Sequence, residues 1–262
     1  MTPDQETVDW IFEASRWWLQ SFGGFEQFEN QSAIVLPTPD DFPVDADLSG
    51  HELAEDYFEF AKEHAGLSEW PFEVIDESTP NVAEALRGMP HHMTSAPQAE
   101  TEPVLIAEGD PLAIPYDLTQ LKDPVDLVAT MARGMSHYLL YHAPTEFPGD
   151  PDDRAYFVDL GAVFLGFGVF LANSAFRFEQ TESGMMIGWG FARRGALSQL
   201  DVTYVLALTA TLLDAPDREV RRHLAPNPSG FFKSARKHIA KKRRTDLDRL
   251  RRVPSLANGP YR

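Results

Sequence analysis

The chain has 262 residues, 43% of them hydrophobic, enough to bury a substantial core as one domain or one domain with an appendage. It contains no cysteine, which excludes disulfides, thiolate-ligated zinc and thiol catalysis. The net charge of −17 hides an uneven distribution: residues 218–262 hold 14 Lys/Arg against 3 Asp/Glu, so the body is near −28 and the C-terminal stretch near +11.

The opening Met1-Thr-Pro-Asp-Gln-Glu-Thr7 lacks the basic residues and apolar core of a signal peptide, which points to a cytoplasmic location. Over residues 5–22, Val8, Ile11, Phe12, Ala14, Trp17, Trp18 and Leu19 recur at helical spacing, and Gly23-Gly24 closes that helix. Ala33-Ile-Val-Leu36, stopped by Pro37, reads as a short strand, and residues 51–66 as a second amphipathic helix. Phe72-Glu-Val-Ile75 is a strand candidate. Pro80, Gly88 and Pro90 then forbid long regular structure. Val104-Leu-Ile-Ala107 and Leu112-Ala-Ile-Pro115 flank Glu108-Gly-Asp110 and read as a hairpin.

Asp123-Pro124 starts a helix running to about His142, with proline tolerated in its first turn. A proline-rich loop over residues 143–151 separates it from a second helix expected over 152–176. The apolar run 160–176 within that helix is better explained as a buried core helix than as a membrane span. Asp159 precedes it, and Gly161, Gly166 and Gly168 suit close packing against another helix. Residues 184–195 read as a glycine-rich connection, and Ser198 as the N-cap of a long helix to Leu213. Pro216 and Pro226 separate short helical pieces from a basic helix over residues 229–252. That helix is expected to lie on the chain's own acidic body rather than to extend as a nucleic-acid arm.

The residues that carry chemistry lie on the two helices joined by the 143–151 loop. A zincin helix carries H-E-x-x-H: histidines at i and i+4 share a face and hold zinc, with the glutamate as general base. The corresponding window here is Arg133-Gly-Met-Ser-His137, in which only the second histidine remains. In gluzincins a following helix supplies the third ligand in E-x-x-x-D, whose aspartate orients the first histidine. Here that stretch reads Ala155-Tyr-Phe-Val-Asp159, with the aspartate kept and the ligand glutamate replaced by alanine.

Beyond these windows the chain resembles a family of uncharacterised bacterial proteins that look like small cytosolic gluzincins. The resemblance runs through Ile34-Val-Leu-Pro-Thr-Pro-Asp-Asp-Phe-Pro43, Leu127-Val-Ala-Thr-Met-Ala132, Asp159-Leu160, Val163 to Phe176, Gly190-Phe-Ala192, Leu197-Ser-Gln199 and Tyr204-Val-Leu-Ala207. It implies a fold and an ancestral metal site rather than a substrate. The departures at Arg133, Gly134 and Ala155 put hydrolase activity in doubt.

Arg133 shares a helix face with His137, and the resemblance brings Asp159 beside the first-ligand position. An arginine there can keep the aspartate through a charge-assisted hydrogen bond. A structural ion pair is therefore expected at Arg133/Asp159, ahead of an Arg/His/Asp site for an anionic ligand. Gly134, where the general base would stand, implies either a close approach by another backbone or relaxed selection, and the sequence leaves both open. Ser136, His137 and Asp159 do not make a hydrolytic triad, because neighbours at i and i+1 on a helix do not face each other. The loop pair His91-His92 is expected to be solvated rather than a metal site.

The resulting expectation is an α+β fold, mostly helical and zincin-like, with a small sheet and a basic C-terminal helix. Residues 1–228 form an acidic domain, and residues 229–262 a helix and tail docked on it. The expected function is that of a catalytically inactive metalloprotease-like pseudoenzyme that binds or regulates an unspecified protein partner. No catalytic, cofactor or metal role is expected at the degenerate positions Arg133, Gly134, His137, Ala155 and Asp159. The rival readings are a hydrolase with a non-standard site in the same cleft, a nucleic-acid-associated protein acting through the basic helix, and an acidic protein that neutralises a basic partner. The acidic body argues against nucleic acid and against anionic membrane.

Overall fold

The computed structural model describes residues 1–78, 112–175 and 195–255. The described chain is mostly helical, with one two-stranded sheet. Helix α1 (Gln5–Ser21) starts where the Asp4 side chain accepts from the Thr7 N–H, and it buries Val8, Ile11, Phe12, Trp18 and Leu19 along one stripe. The glycines that end it also start α2 (Gly24–Gln31), a helix not anticipated from the sequence. Ala33 to Leu36, expected as a strand, has no regular secondary structure. Helix α3 (Gly50–Ala65) ends at Gly66 with φ +69°, a conformation that favours glycine at a helix C-terminus.

Strands β1 (Phe72–Asp76) and β2 (Leu112–Tyr116) pair in parallel, from Phe72 opposite Leu112 to Asp76 opposite Tyr116. The sequence offered β2 a different neighbour, residues 104–107 in a hairpin, and did not anticipate β1 as its partner. Parallel neighbours need a long crossover rather than a tight turn, and residues 77–111 separate these two. The proposed hairpin partner, residues 104–107, lies outside the described residues, as do Pro80, Gly88, Pro90 and the pair His91-His92.

Helix α4 (Pro124–Tyr141) is buried along most of its length. A short turn at Pro151–Asp153 leads into α5 (Arg154–Ala162), a wide turn at Val163–Phe167 and α6 (Gly168–Ser174). The expected single helix is therefore interrupted. Gly166 takes φ +106°, and a Cβ there would lie 2.5 Å from the Ala33 carbonyl oxygen. At this break Val35 donates its N–H to the Gly166 carbonyl at 3.0 Å. The apolar 33–36 segment thus finds a helix kink, not a sheet, to satisfy its backbone. Pro151–Ser174 is long and apolar enough by composition to cross a bilayer, yet its apolar 18-residue window is 83% buried inside the protein.

Helix α7 (Gln199–Leu212) begins at Ser198, whose hydroxyl accepts from the Asp201 N–H, and it is apolar on all sides. Such a helix belongs at the centre of a core. Its threonines satisfy their hydroxyls internally: Thr203, Thr209 and Thr211 donate to the carbonyls of Gln199, Val205 and Ala207. Helices α4, α5 and α6 pack on one another, and α6 also packs on α7.

After α8 (Asp217–Arg222), the C-terminal segment forms α9 (Pro226–Lys242) and α10 (Arg244–Leu250), two helices where one was expected. The break falls at Arg243, which turns inward over the Phe12 ring at 4.7 Å and pairs with Asp9 and Asp246. Arg236 pairs with Asp217 at 2.6 Å, and Arg251 with Asp214 at 3.1 Å. Helix α9 lays Phe232, Ala235 and Ile239 into the common core. Each large apolar side chain so buried contributes roughly 1.5–3 kcal/mol, against about 0.2–1 kcal/mol for a partly exposed ion pair. Apolar burial therefore holds the segment in place, and the arginines orient it.

Candidate functional site

The sequence singled out five positions, and the structure places them on α4 and α5, which pack side by side. Arg133 and Asp159 meet directly. The Arg133 Nε–H donates to Asp159 Oδ1 at 2.7 Å, with side-chain exposures of 3% and 1%. The other carboxylate oxygen, Oδ2, accepts the backbone N–H groups of Ala196 at 2.7 Å and Leu197 at 2.9 Å. One buried carboxylate thus joins α4, α5 and the turn that leads into α7. Three charge-assisted hydrogen bonds offset the cost of removing it from water.

Sequence reasoning missed this third element. Gly195 takes φ +77°, and a Cβ there would lie 2.8 Å from both Arg133 Nη2 and Asp159 Oδ2. The only signal for it was a glycine standing just ahead of the Ser198 N-cap. Such a glycine lets the backbone pass over the ion pair and aim two successive N–H groups at it.

Gly134 sits beneath β2. A Cβ there would meet Ile114 Cγ2 at 2.6 Å and Cγ1 and Cδ1 at 3.1 Å. The approach that the sequence left open comes from a side chain rather than from another backbone. It is reinforced one turn later, where the buried Tyr138 hydroxyl donates to the Ala113 carbonyl at 3.0 Å. Burial pushes the Tyr138 phenol well above its ordinary range, so it remains a donor. Strand β2 therefore covers the face of α4 on which a general base would stand.

His137 is buried on α4, with its ring edge-on to Tyr138 at 6.3 Å. Ser136, its neighbour, donates to the Val158 carbonyl at 2.8 Å and serves the α4/α5 contact. The same interface uses Gly161, where a Cβ would overlap Ser136 Oγ and the Trp18 ring. Ala155 lies half-buried in the first turn of α5, one turn before Asp159, and offers a methyl group where the resemblance puts a carboxylate.

These residues do not fit a zinc ion. Arg133 brings a guanidinium to the aspartate, Gly134 and Ala155 carry no donor, and His137 alone is far short of the three or four ligands that zinc requires. Among the described residues no cluster of three or more His, Asp or Glu has metal-binding geometry. The arrangement can hold three segments of chain in fixed relation. Compared with protein-family models, curated proteins and solved structures, the chain matches none of them.

Proposed function

We propose that the protein is a catalytically inactive, zincin-like scaffold that acts by binding or regulating a protein partner. The buried Arg133–Asp159 pair carries this reading. In the gluzincin resemblance, position 133 belongs to the first histidine and Asp159 to the group that orients it. An arginine at the first position keeps the aspartate's hydrogen bond while supplying positive charge of its own.

Two further features agree. Ile114 fills the space beside Gly134 that a catalytic glutamate would need, and the Asp159 oxygen turned away from Arg133 is taken by Ala196 and Leu197. Side-chain packing and hydrogen bonds thus occupy positions where zinc chemistry would require open coordination. A fold relieved of catalysis can still present its surfaces to another molecule.

Elemental analysis of protein purified without chelator tests this reading. The expected result is no stoichiometric zinc. About one zinc per chain, lost on His137→Ala, would overturn it.

A further inference from the structure

The basic residues of the C-terminal segment fall into two sets. The arginines Arg236, Arg243 and Arg251 turn toward the body and pair with Asp217, Asp9 and Asp214. The lysines Lys233, Lys237 and Lys241 face solvent at i, i+4 and i+8, opposite the buried Phe232, Ala235 and Ile239, and make no ion pair among the described residues. Helix α9 contains no acidic residue at all. The division follows the chemistry of the two cations. Arginine's planar fork suits docked, partly buried pairs, and lysine's hydrated point charge suits an exposed face.

The complement of this lysine row lies elsewhere on the same molecule. Helix α3 buries Ala54, Phe58 and Ala61 and exposes Glu55, Glu59 and Glu63, again at i, i+4 and i+8, with Glu52 extending the row. At about 1.5 Å rise per residue, both rows place successive charges about 6 Å apart. Helices α3 and α9 do not pack on each other: α3 sits on α4 and β1, and α9 on α7, α8 and α10. The two rows therefore cannot satisfy each other within one chain.

We propose that the lysine face of α9 docks on the glutamate face of α3 in a second copy of this chain. The equal spacing matches the two rows in register, although Glu59 is shared with Lys62 at 2.8 Å and Glu55 with His51 at 3.6 Å. The net charge of −17 opposes the approach of two copies, but at physiological ionic strength charges further apart than about 8 Å are largely screened, whereas pairs in contact are screened far less. A nucleic acid offers the same lysines a partner but would also face the acidic body. Exposed ion pairs are individually weak, so the contact is reversible and concentration-dependent. Because the two rows lie on different helices, one contact leaves a lysine row and a glutamate row over, which either close a two-fold dimer or recruit further copies.

Sedimentation equilibrium of the full chain, from micromolar to millimolar concentration at physiological salt, reads this directly. The weight-average mass is expected to rise toward twice that of the monomer, or beyond it where further copies join, and to return to the monomer in about 1 M salt, where the screening length falls to about 3 Å. Lys233→Glu/Lys237→Glu/Lys241→Glu and Glu55→Lys/Glu63→Lys should each remain monomeric, and an equal mixture of the two should associate again. Glu59 is left in place because it holds Lys62 at 2.8 Å. The single changes Lys237→Glu and Glu63→Lys serve if a multiple variant fails to fold. A monomer at every concentration, association that survives either set of changes, or a mixture that stays monomeric overturns the proposal. So does lysine-dependent binding of single-stranded DNA by a protein that does not self-associate.

Discussion

Arg133 Nε and Asp159 Oδ1 lie 2.7 Å apart in the interior of the protein, each on a different helix. Such a pair stabilises mainly through what happens when it is broken. Arg133→Ala leaves a buried carboxylate with only two backbone donors and is expected to cost about 3–5 kcal/mol. Asp159→Ala should also destabilise, since it removes the acceptor of the Arg133 Nε–H and of the N–H groups of Ala196 and Leu197. Urea denaturation of the two single variants and the double variant measures the coupling. Nearly additive losses would mean that the pair does not act as a unit.

The Gly134/Ile114 contact makes an opposite prediction from helix propensity alone. Alanine is favoured over glycine in a helix interior by about 1 kcal/mol. Here the added methyl would lie 2.6 Å from Ile114 Cγ2, and overpacking a tight core costs about 1–3 kcal/mol. Gly134→Ala should therefore destabilise, and its cost should shrink in an Ile114→Ala background. Thermal melts of the four proteins decide the matter: a stabilising Gly134→Ala would mean that β2 yields to α4.

Stability should fall as the pH is lowered from about 7 to about 5. His142 and His238 both have pKa values pushed below the ordinary 6.5, His142 by burial, His238 by burial and then by Arg243 and Lys242. The folded state thus prefers both rings neutral, while the unfolded chain protonates them as the pH drops through 6.5. The unfolded state binds more protons in that window, so stability rises with pH across it. The geometry agrees at His238, whose Nδ1 lies 2.8 Å from the Tyr204 hydroxyl, a phenol held protonated by burial and able to donate to a neutral ring. Denaturation midpoints measured against pH should flatten in His142→Asn/His238→Asn. An unchanged slope would assign it to other groups.

Rebuilding the lost motif tests the gluzincin disposition of α4 and α5. Arg133→His, Gly134→Glu and Ala155→Glu restore H-E-x-x-H and E-x-x-x-D, with Asp159 in place to orient the new histidine. Ile114 stands where the glutamate must go, so Ile114→Ala has to accompany the three changes. Calorimetric titration should show zinc binding by the folded quadruple variant and not by the wild type. Equal affinity in both would mean that these helices are not arranged as in a gluzincin.

Local pattern determined much of this protein. The periodicity of α1, α3 and α4, the Ser198 cap and the strands Phe72–Asp76 and Leu112–Tyr116 were all legible, because hydrophobic spacing and capping chemistry act over a few residues. The pairing of Arg133 with Asp159 was anticipated too, but through the resemblance that sets Asp159 beside position 133 rather than through local pattern. Tertiary structure decided what depends on contacts distant in sequence. Which strand pairs with β2, why the 33–36 segment meets a kink at Gly166, what occupies the space over Gly134 and which N–H groups reach Asp159 are settled by neighbours from other parts of the chain. A glycine in a sequence announces that something unusual is required of the backbone or of the space beside it. Only the packed structure shows whether that is a φ of +106°, as at Gly166, or an isoleucine methyl, as at Gly134.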